Sequence, residues 1–484
     1  MRGPVGAGRP HERGTTMTET SAAAQAVLAS ALGAALLFGA GAGKAADKLE
    51  LSDEPIEMKS EEDFPDRVAP LVEVGPGFLS PGKLSDGFEL PTGAVWTPAL
   101  YVYGDYRTAL NYFDDGRGDP VAEWANRLDL TANLRLSGTE RIVLGMSPLR
   151  DEAQFSGYTF EPDRQEGWDN AFNSDITTLF FEGEIGEIFP EVDPGDRGFL
   201  DLGVAVGRQP LFFQEGQLVN DSMDALAVTR DQIFIPGVSI DHKVTALWAW
   251  NDVNRHDNRE DRDAQLFGLF TEGDWGESTV QIDGAFVAGG DNGADNDGVF
   301  VGVGSTQRLV LFNQTVNSSV RANVSQALDE ESPDVRDGAL LFGEFSITPH
   351  GTDNLLYTNL FWGIDDYTSA ARSETAGGPL GGTGVLFAAV GLGRYGSPLS
   401  NDPANAAGGA VGYQMFFNNE RTQLIAEAGG RVGTAGQDRD AAAFGLRIEQ
   451  ALGNRFVIRA DAFVSGREGR DPGAGARTEF VTRF

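Results

Sequence analysis

The sequence predicts an all-β fold: a transmembrane antiparallel up-and-down β-barrel of about 18 strands with short periplasmic turns and long outer loops. Three observations predict it. From Leu100 onward, stretches of about ten residues alternate apolar and polar side chains, as membrane strands do. The links between these stretches alternate between short and long. An apolar run near the N terminus has the composition of an export signal.

The alternation places apolar and charged side chains on opposite faces of the same strand. In Phe456–Val464, for example, the apolar Phe456 and Ile458 oppose Arg459 and Asp461. Charges at every second position need water on their side of the sheet. A soluble β-sandwich with its polar face outward would show the same alternation. Alternation alone therefore leaves two fold classes open.

The lengths of the links favour the membrane barrel. Ser137–Glu140 and Asn418–Arg421 read as tight turns, whereas Arg150–Asp175 is long and acidic. The longest link runs from Asp366 to about Gly408. Strict alternation of short periplasmic turns with long outer loops gives an even count of about 18 strands, with 16 or 20 as alternatives. Both chain ends then lie in the periplasm, and a barrel of this width encloses an aqueous lumen.

The N-terminal region predicts export. Ala22–Gly43 is a run of small and apolar residues, and we interpret residues 1–45 as a signal peptide whose translation start is Met1 or Met17. A retained transmembrane helix is the alternative, because the run is long enough to span a bilayer. Residues 46–96 are acidic and contain several prolines. They predict a periplasmic extension in front of a barrel domain over residues 97–484.

Composition excludes several classes of function. The chain has 484 residues, no cysteine and a formal net charge of −35. Nucleic acid is not an expected partner, because binding it requires a basic surface. A mean hydropathy of −0.24 is too low for a bundle of membrane helices and suits a barrel. The acidic excess predicts solvated loops or, as the alternative, divalent-cation binding or a preference for cations at the pore mouth.

No metal site, cofactor or catalytic motif is predicted. The four histidines lack metal-ligand spacing. The acidic loop Gly289–Gly298 has oxygen ligands that would suit Ca²⁺, but it lacks the regular spacing of a calcium loop, and a solvated loop is the preferred interpretation. His242 could serve a barrel hydrolase only beside a serine nucleophile, and no motif supplies one. The expected protein is not an enzyme.

The predicted working surface is the lumen. Strand parity, together with a family resemblance for Arg208, assigns it ten pore-lining charges of mixed sign: Arg135, Arg208, Arg321, Glu344, Glu427, Arg431, Arg447, Glu449, Arg459 and Asp461. Such charges produce either a transverse field at a constriction or salt bridges between neighbouring strands. The apolar stretch Val385–Leu392 within the longest link predicts a plug folded into the lumen, or else an additional hairpin.

The last strand resembles the C-terminal assembly signal of bacterial outer-membrane proteins. It ends the chain at Phe484 and places Phe480 and Phe484 on one face. The resemblance implies a location in the cell outer membrane of a Gram-negative bacterium. It also implies outer-membrane lipid and the barrel-assembly machinery as partners. Monomer and trimer stay open.

Two adjacent strands resemble a known family. Gly203–Phe213 reads GVAVGRQPLFF, and Asp224-Ala225-Leu226 follows in the next strand. Together they resemble the alginate-export family of outer-membrane porins. The resemblance implies an 18-stranded barrel with an electropositive pore for an anionic polysaccharide. Arg208 shares the parity of Val204, so it faces the lumen only if a bulge intervenes near Gly207.

The expected function is a porin for passive diffusion or export of small solutes or of an anionic oligosaccharide or polysaccharide. Two alternatives come from other classes. A structural sleeve barrel would house a protein partner such as an electron carrier. A barrel hydrolase would depend on His242. The mixed charges of the predicted lumen do not identify which solute passes through it.

Overall fold

The computed structural model describes residues 68–76, 87–192, 198, 200–256, 258–289, 296–311, 314–329, 332, 334–436 and 440–484. The expected signal peptide and most of the acidic extension lie outside these residues. The same holds for residues 290–295, which form the centre of the acidic loop that could suit Ca²⁺.

Within the described residues, eighteen antiparallel strands form the wall of a closed barrel. They are β1 (Ala99–Asp114), β2 (Val121–Arg135), β3 (Arg141–Met146), β4 (Ile176–Glu184), β5 (Gly203–Phe213), β6 (Val219–Arg230), β7 (His242–Trp250), β8 (Gln265–Trp275), β9 (Ser278–Ala288), β10 (Gly298–Leu311), β11 (Gln314–Ala327), β12 (Gly338–Ile347), β13 (Leu355–Asp365), β14 (Ala406–Phe417), β15 (Thr422–Gly433), β16 (Ala441–Leu452), β17 (Phe456–Arg467) and β18 (Gly473–Arg483).

Each wall strand pairs with the next strand in the chain, and β18 closes the ring on β1. The closing register runs from Ala474 opposite Asp114 to Arg483 opposite Asp105. Phe484 continues this pairing through two backbone hydrogen bonds with Gly104. The expected fold class, an antiparallel barrel of 18 strands, is confirmed.

Short elements occupy the links. At the periplasmic end Val72–Val74 pairs with β1, Phe88–Glu89 pairs with Val95–Trp96, and Ile185–Ile188 forms one helical turn. On the outer side the elements are Arg150–Asp151, Gln154–Glu161, the 3-10 turn Asp163–Gln165, Gly167–Asp169, Val253–Asn254, Glu260–Asp261 and Ala371–Arg372. No helix in the described part of the chain is both long and apolar enough to span a membrane.

The outer face of the wall is apolar. On β16 the side chains of Phe444, Leu446 and Ile448 are exposed, and Arg447 and Glu449 alternate with them on the other face. Exposed apolar rows of this kind are stable only against lipid. All backbone groups of a closed barrel pair within the wall, so the wall can cross a membrane.

The link between β3 and β4 differs from the expected loop. Gln154–Glu161 is a strand that pairs with Ala122–Asn126, the outer part of β2. The reason is that β2 has 15 residues whereas β3 has six, so the outer part of β2 lacks a partner in β3. The link returns to provide that partner, and an unpaired sheet edge is avoided.

Candidate functional site: the lumen wall and the plug loop

A buried ion network covers the inner face of β16, β17, β18 and β1. Its centre is Glu479, which is fully buried. Arg107 Nε lies 2.5 Å from a Glu479 carboxylate oxygen, Arg459 Nη1 lies 3.2 Å from the other, and Arg477 also pairs with it. Three guanidinium groups from three strands therefore surround one carboxylate, which compensates the cost of burying it.

The network continues on both sides of Glu479. Arg447 Nε and Arg477 Nη1 lie 2.5 and 3.1 Å from the two oxygens of Asp461. Arg459 Nε lies 2.6 Å from Glu449. Ion pairs of this kind join neighbouring strands and fix their side chains. On β2, Arg127 Nε pairs with Asp129 at 2.6 Å.

The link between β13 and β14, residues 366–405, contacts this wall; we call it the plug loop. Three consecutive carbonyl groups of the loop face β1 and β2. Arg107 Nη2 donates to Val390 O at 3.3 Å and Arg127 Nη1 donates to Gly391 O at 3.0 Å. Asn111 Nδ2 donates to Leu392 O at 3.3 Å. The loop backbone therefore lies directly against the charged wall.

Glu427 on β15 holds the middle of the plug loop. The backbone N–H groups of Val385 and Leu386 donate to its two carboxylate oxygens at 3.0 and 2.9 Å, and Tyr357 donates its hydroxyl. Gly384 has φ +55°, and a Cβ there would lie 2.7 Å from Glu427 Oε2. Glycine is therefore required where the loop meets this carboxylate.

Arginine side chains hold the rest of the loop by its carbonyl groups. Arg431 Nη1 donates to Ser400 O and Asp402 O at 2.7 Å each. Arg372, within the loop, donates to Gly377 O at 2.7 Å and to Ala376 O at 3.1 Å. Burial lowers the pKa of Arg372 to about 10, so the group stays charged at neutral pH.

Apolar packing fills the space between the plug loop and β12–β14. Leu340, Phe361, Leu386, Phe387 and Leu399 belong to one buried cluster. A second cluster covers the inner face of β5–β10 and includes Leu218, Met223, Leu266 and Phe300. The lumen therefore contains two apolar cores beside the charged wall.

The structure places most of the predicted pore-lining residues on the inner face. Glu427, Arg431, Arg447, Glu449, Arg459 and Asp461 take part in the contacts described above. Arg321 Nη2 lies 3.2 Å from Glu215 in the link between β5 and β6, and Glu344 lies opposite Ser319 on the neighbouring strand. Arg135 lies at the periplasmic end of β2 on the same face as Asp129.

Arg208 is the exception, and its assignment to the pore is wrong. Its neighbours across the sheet are Leu179 and Asp224, and Leu179 is exposed on the outer face. Arg208 pairs with Asp252, next to the outer end of β7. Gly207 has φ +119°, but the strand register runs through it without a shift. No bulge turns Arg208 inward, and the neighbouring Gln209 is buried instead.

The two C-terminal phenylalanines of the proposed assembly signal differ in their surroundings. Phe480 is on the outer face and stacks on Phe456, with ring centroids 5.5 Å apart. The backbone of Phe484 pairs with Gly104. Their role in assembly stays a prediction.

Four residues of the network were missed by sequence reasoning: Arg107, Arg127, Arg477 and Glu479. Their parity was available in the sequence, since Arg477 and Glu479 alternate with Phe480, and Arg127 shares a face with Asp129. What the sequence does not show is that β1 and β18 are neighbours. Arg107 and Glu479 are 372 positions apart.

The hydrolase alternative gains no support from the site. His242 begins β7, and its Nδ1 is buried and bonds to no described residue. A serine nucleophile would have to hydrogen-bond to this ring. Among the described residues, no group of three or more histidine, aspartate or glutamate side chains is arranged to hold a metal ion.

No family model matches this chain, and no curated protein sequence is significantly similar to it. Solved outer-membrane porins are similar in structure. OccAB2 of Acinetobacter baumannii has a TM-score of 0.54 at 11% identity, over 80% of this chain and 98% of the porin. A BenF-like porin from Pseudomonas fluorescens has 0.54 at 11%, over 79% and 98%. Pseudomonas aeruginosa OpdK, solved with vanillate, has 0.53 at 11%, over 79% and 98%. At these identities the likeness shows the fold.

Proposed function

We propose that this protein is a channel of the outer membrane through which small hydrophilic solutes diffuse. The observation that carries the proposal is the closed 18-stranded wall, which is apolar outside and carries charged side chains inside. A wall of this width encloses more space than its own side chains fill. The structural likeness to porins supports the same conclusion at the level of the fold.

The proposed path runs along the charged wall of β16–β18, β1 and β2. The inner face of β5–β10 supports this choice, because a packed apolar cluster covers it. Polar side chains on this face, such as Asp283, are buried, and Asp283 accepts a hydrogen bond from Gln214 in the link between β5 and β6.

Carbonyl groups of Val390, Gly391 and Leu392 face the charged wall from the plug loop. These carbonyl groups accept hydrogen bonds from the wall, so a solute would pass beside this contact. There it would meet the partly exposed side chains of Arg127, Arg447 and Arg459.

Charge along the path is nearly balanced. Asp105, Glu123 and Arg135 lie on this face of β1 and β2. The arginines of the ion pairs are Arg107, Arg127, Arg447, Arg459 and Arg477, and their carboxylates are Asp129, Glu449, Asp461 and Glu479. Each of these arginines has a carboxylate partner, so the wall presents dipoles more than net charge. Neutral and zwitterionic solutes, including small saccharides, suit this surface better than a polyanion. Alginate export, which the GVAVGRQPLFF strand suggests, requires an electropositive pore and is the weaker proposal.

Planar-bilayer recording tests the function. Purified protein in a lipid bilayer should produce discrete conductance steps, and a salt gradient should give only a small reversal potential because the charges along the wall of the path are nearly balanced. A protein that inserts, shown by its heat-modifiable band on gels, but never conducts would overturn the proposal. A second protein that co-purifies inside the lumen would favour the sleeve alternative. In this structure the chain's own plug loop occupies that position.

A further inference from the structure

Outer loops enclose a cavity of about 650 Å³ at the mouth of the barrel. Its wall comes from five links: those after β3, β7, β9, β11 and β13. Six carboxylates line it, namely Glu152, Glu260, Asp261, Asp263, Asp334 and Glu374. A cavity of this volume accommodates a small organic molecule.

The wall of the cavity is held in place by buried contacts. The link between β7 and β8 folds inward as a hairpin, and the Asn254 backbone N–H and Nδ2 each donate to the Asp221 carboxylate at 2.9 Å. At the tip of the hairpin, Asn258 Nδ2 donates to Ser373 O of the plug loop at 2.7 Å. These contacts fix the β7–β8 side of the cavity to β6 and to the plug loop.

The arginines of the cavity are already paired. Arg255 is almost fully buried, with Nη1 3.3 Å from Asp261 and Nη2 donating to Asn296 O at 2.7 Å. Arg262 Nε lies 2.5 Å from Glu260. Arg259 has a partner as well. These arginines have little capacity left for an anionic ligand.

Several carboxylates of the same cavity have oxygen atoms available to pair with a ligand. Those of Glu152, Asp263 and Asp334 lie more than 4 Å from every described basic group, although Asp334 still attracts Arg255 and Glu152 attracts Arg262 at longer range. Glu374 has a distant partner, Arg150 Nη1 at 3.9 Å. With six carboxylates and three arginines on the wall, the cavity carries an excess of negative charge. Such a field attracts cations.

Two further observations describe the ligand. The carboxamide oxygen of Asn254 is buried and accepts no hydrogen bond from any described residue, so an N–H donor at this wall would satisfy it. The carboxylates are not grouped at metal-ligand spacing among the described residues. They are distributed around a cavity that is much larger than one ion. A ligand with several separated N–H donors fits this arrangement better than a metal ion does.

We propose that this cavity binds a small organic cation with two or more ammonium groups, held by Asp263, Asp334, Glu152 and Glu374. Ammonium groups donate up to three hydrogen bonds each and would pair with carboxylates from different loops. Binding here does not require that the barrel conducts. The site lies at the outer mouth, so a bound cation would be concentrated where the proposed path begins.

Isothermal titration of the purified full-length protein with 1,4-diaminobutane tests the proposal. Saturable binding should weaken about tenfold in the double variant D263N/D334N, because two charge pairs are removed. The matched control is E468Q/D471N, which removes two exposed charges from the link between β17 and β18. It should change the affinity by less than about twofold, because distant exposed charges are screened. Neutral 1,4-butanediol should not bind.

Three results would overturn the proposal: no saturable binding, equal weakening in both double variants, or MgCl₂ binding the same site more tightly than the diamine. The last result would identify a divalent-cation site. If D263N/D334N fails to fold, as judged by heat-modifiability, the single variant E152Q provides the same comparison at another loop. Because the measurement is made without a membrane, it separates failure of this site from failure of the channel function.

Discussion

The inner face of β5–β10 and the inner face of β15–β18 with β1 and β2 belong to one barrel and follow the same alternation, yet they are built from opposite chemistries. In the first region Met223, Leu266 and Phe300 are buried in an apolar cluster. In the second, Arg477 and Glu479 are equally buried but ion-paired. Burial alone therefore does not distinguish a lumen wall from a core.

The difference follows from what covers each region. Over β5–β10 the chain covers the wall with apolar side chains of its own links, such as Leu218 and Ala371. Gln214 Nε2 donates to Asp283 at 2.8 Å and Asn323 Nδ2 donates to Gln217 at 2.9 Å, so the link between β5 and β6 is fixed over the lumen. Over the charged region the plug loop presents backbone carbonyls. Polar wall and polar backbone face each other there.

Among the changes that test this difference, removal of the plug loop should have the largest effect, and the effect should be on conductance. We expect that replacing residues 377–401 with a short Gly-Ser linker raises single-channel conductance by roughly threefold or more, because the charged wall loses the segment that faces it. Planar-bilayer recording measures the change. An unchanged conductance would show that the plug loop does not limit the path.

In the apolar region, a substitution should change the stability of the barrel and leave its conductance unchanged. We expect Phe300→Ala to lower the free energy of unfolding by about 3–5 kcal/mol, because it leaves a cavity in a packed core. Conductance should stay unchanged, since no path is proposed on that side. The urea midpoint of folding in lipid vesicles measures the loss.

Phe267→Ala is the matched control for Phe300→Ala. Phe267 lies on the outer face, where lipid covers it, and its removal should cost less than that of Phe300. A larger loss for Phe267, or a higher conductance in Phe300→Ala, would contradict the assignment of β5–β10 to a closed core.

Much of the fold could be predicted from the sequence. Alternation over Phe456–Val464 and the tight turn Asn418–Arg421 depend on local rules, and both are confirmed. Parity also places Arg447, Arg459 and Asp461 on the inner face. The region β5–β10 gives a weaker signal, because β6 is apolar on both faces: Met223 and Ala225 are inside, and Leu226 and Val228 are outside.

The rest could not be predicted, because it depends on which distant segments meet. The partners of Glu427 are residues 385 and 386 of the plug loop, which local periodicity does not reveal. Arg208 was assigned through a family resemblance, although its parity with Val206 places it outside. The strand Gln154–Glu161 forms because the outer part of β2 needs a partner, which depends on the lengths of two other strands.

On the charged side of the barrel, Glu427→Gln should have an effect on stability between those of Phe300→Ala and Arg141→Gln. Glutamine keeps one acceptor oxygen but turns an NH₂ group toward a backbone N–H, so the substitution should cost about 1–3 kcal/mol. The plug loop should then be cleaved faster by trypsin at Arg394. Glu468→Gln, at an exposed carboxylate, is the control. Equal cleavage rates in the two variants would show that Glu427 does not hold the loop.

The smallest effect is expected for an ion pair outside the buried network. Arg141 and Glu182 pair at 2.5 Å on neighbouring strands, but 44% and 34% of their side chains are exposed. Exposed pairs gain little in water and are screened by salt, so Arg141→Gln should lower the free energy of unfolding by less than about 1 kcal/mol. The urea midpoint at low and high salt measures this loss, which high salt should remove. A loss above about 2 kcal/mol at high salt would show that this pair behaves as a buried one, and the contrast between exposed pairs and the network around Glu479 would fail.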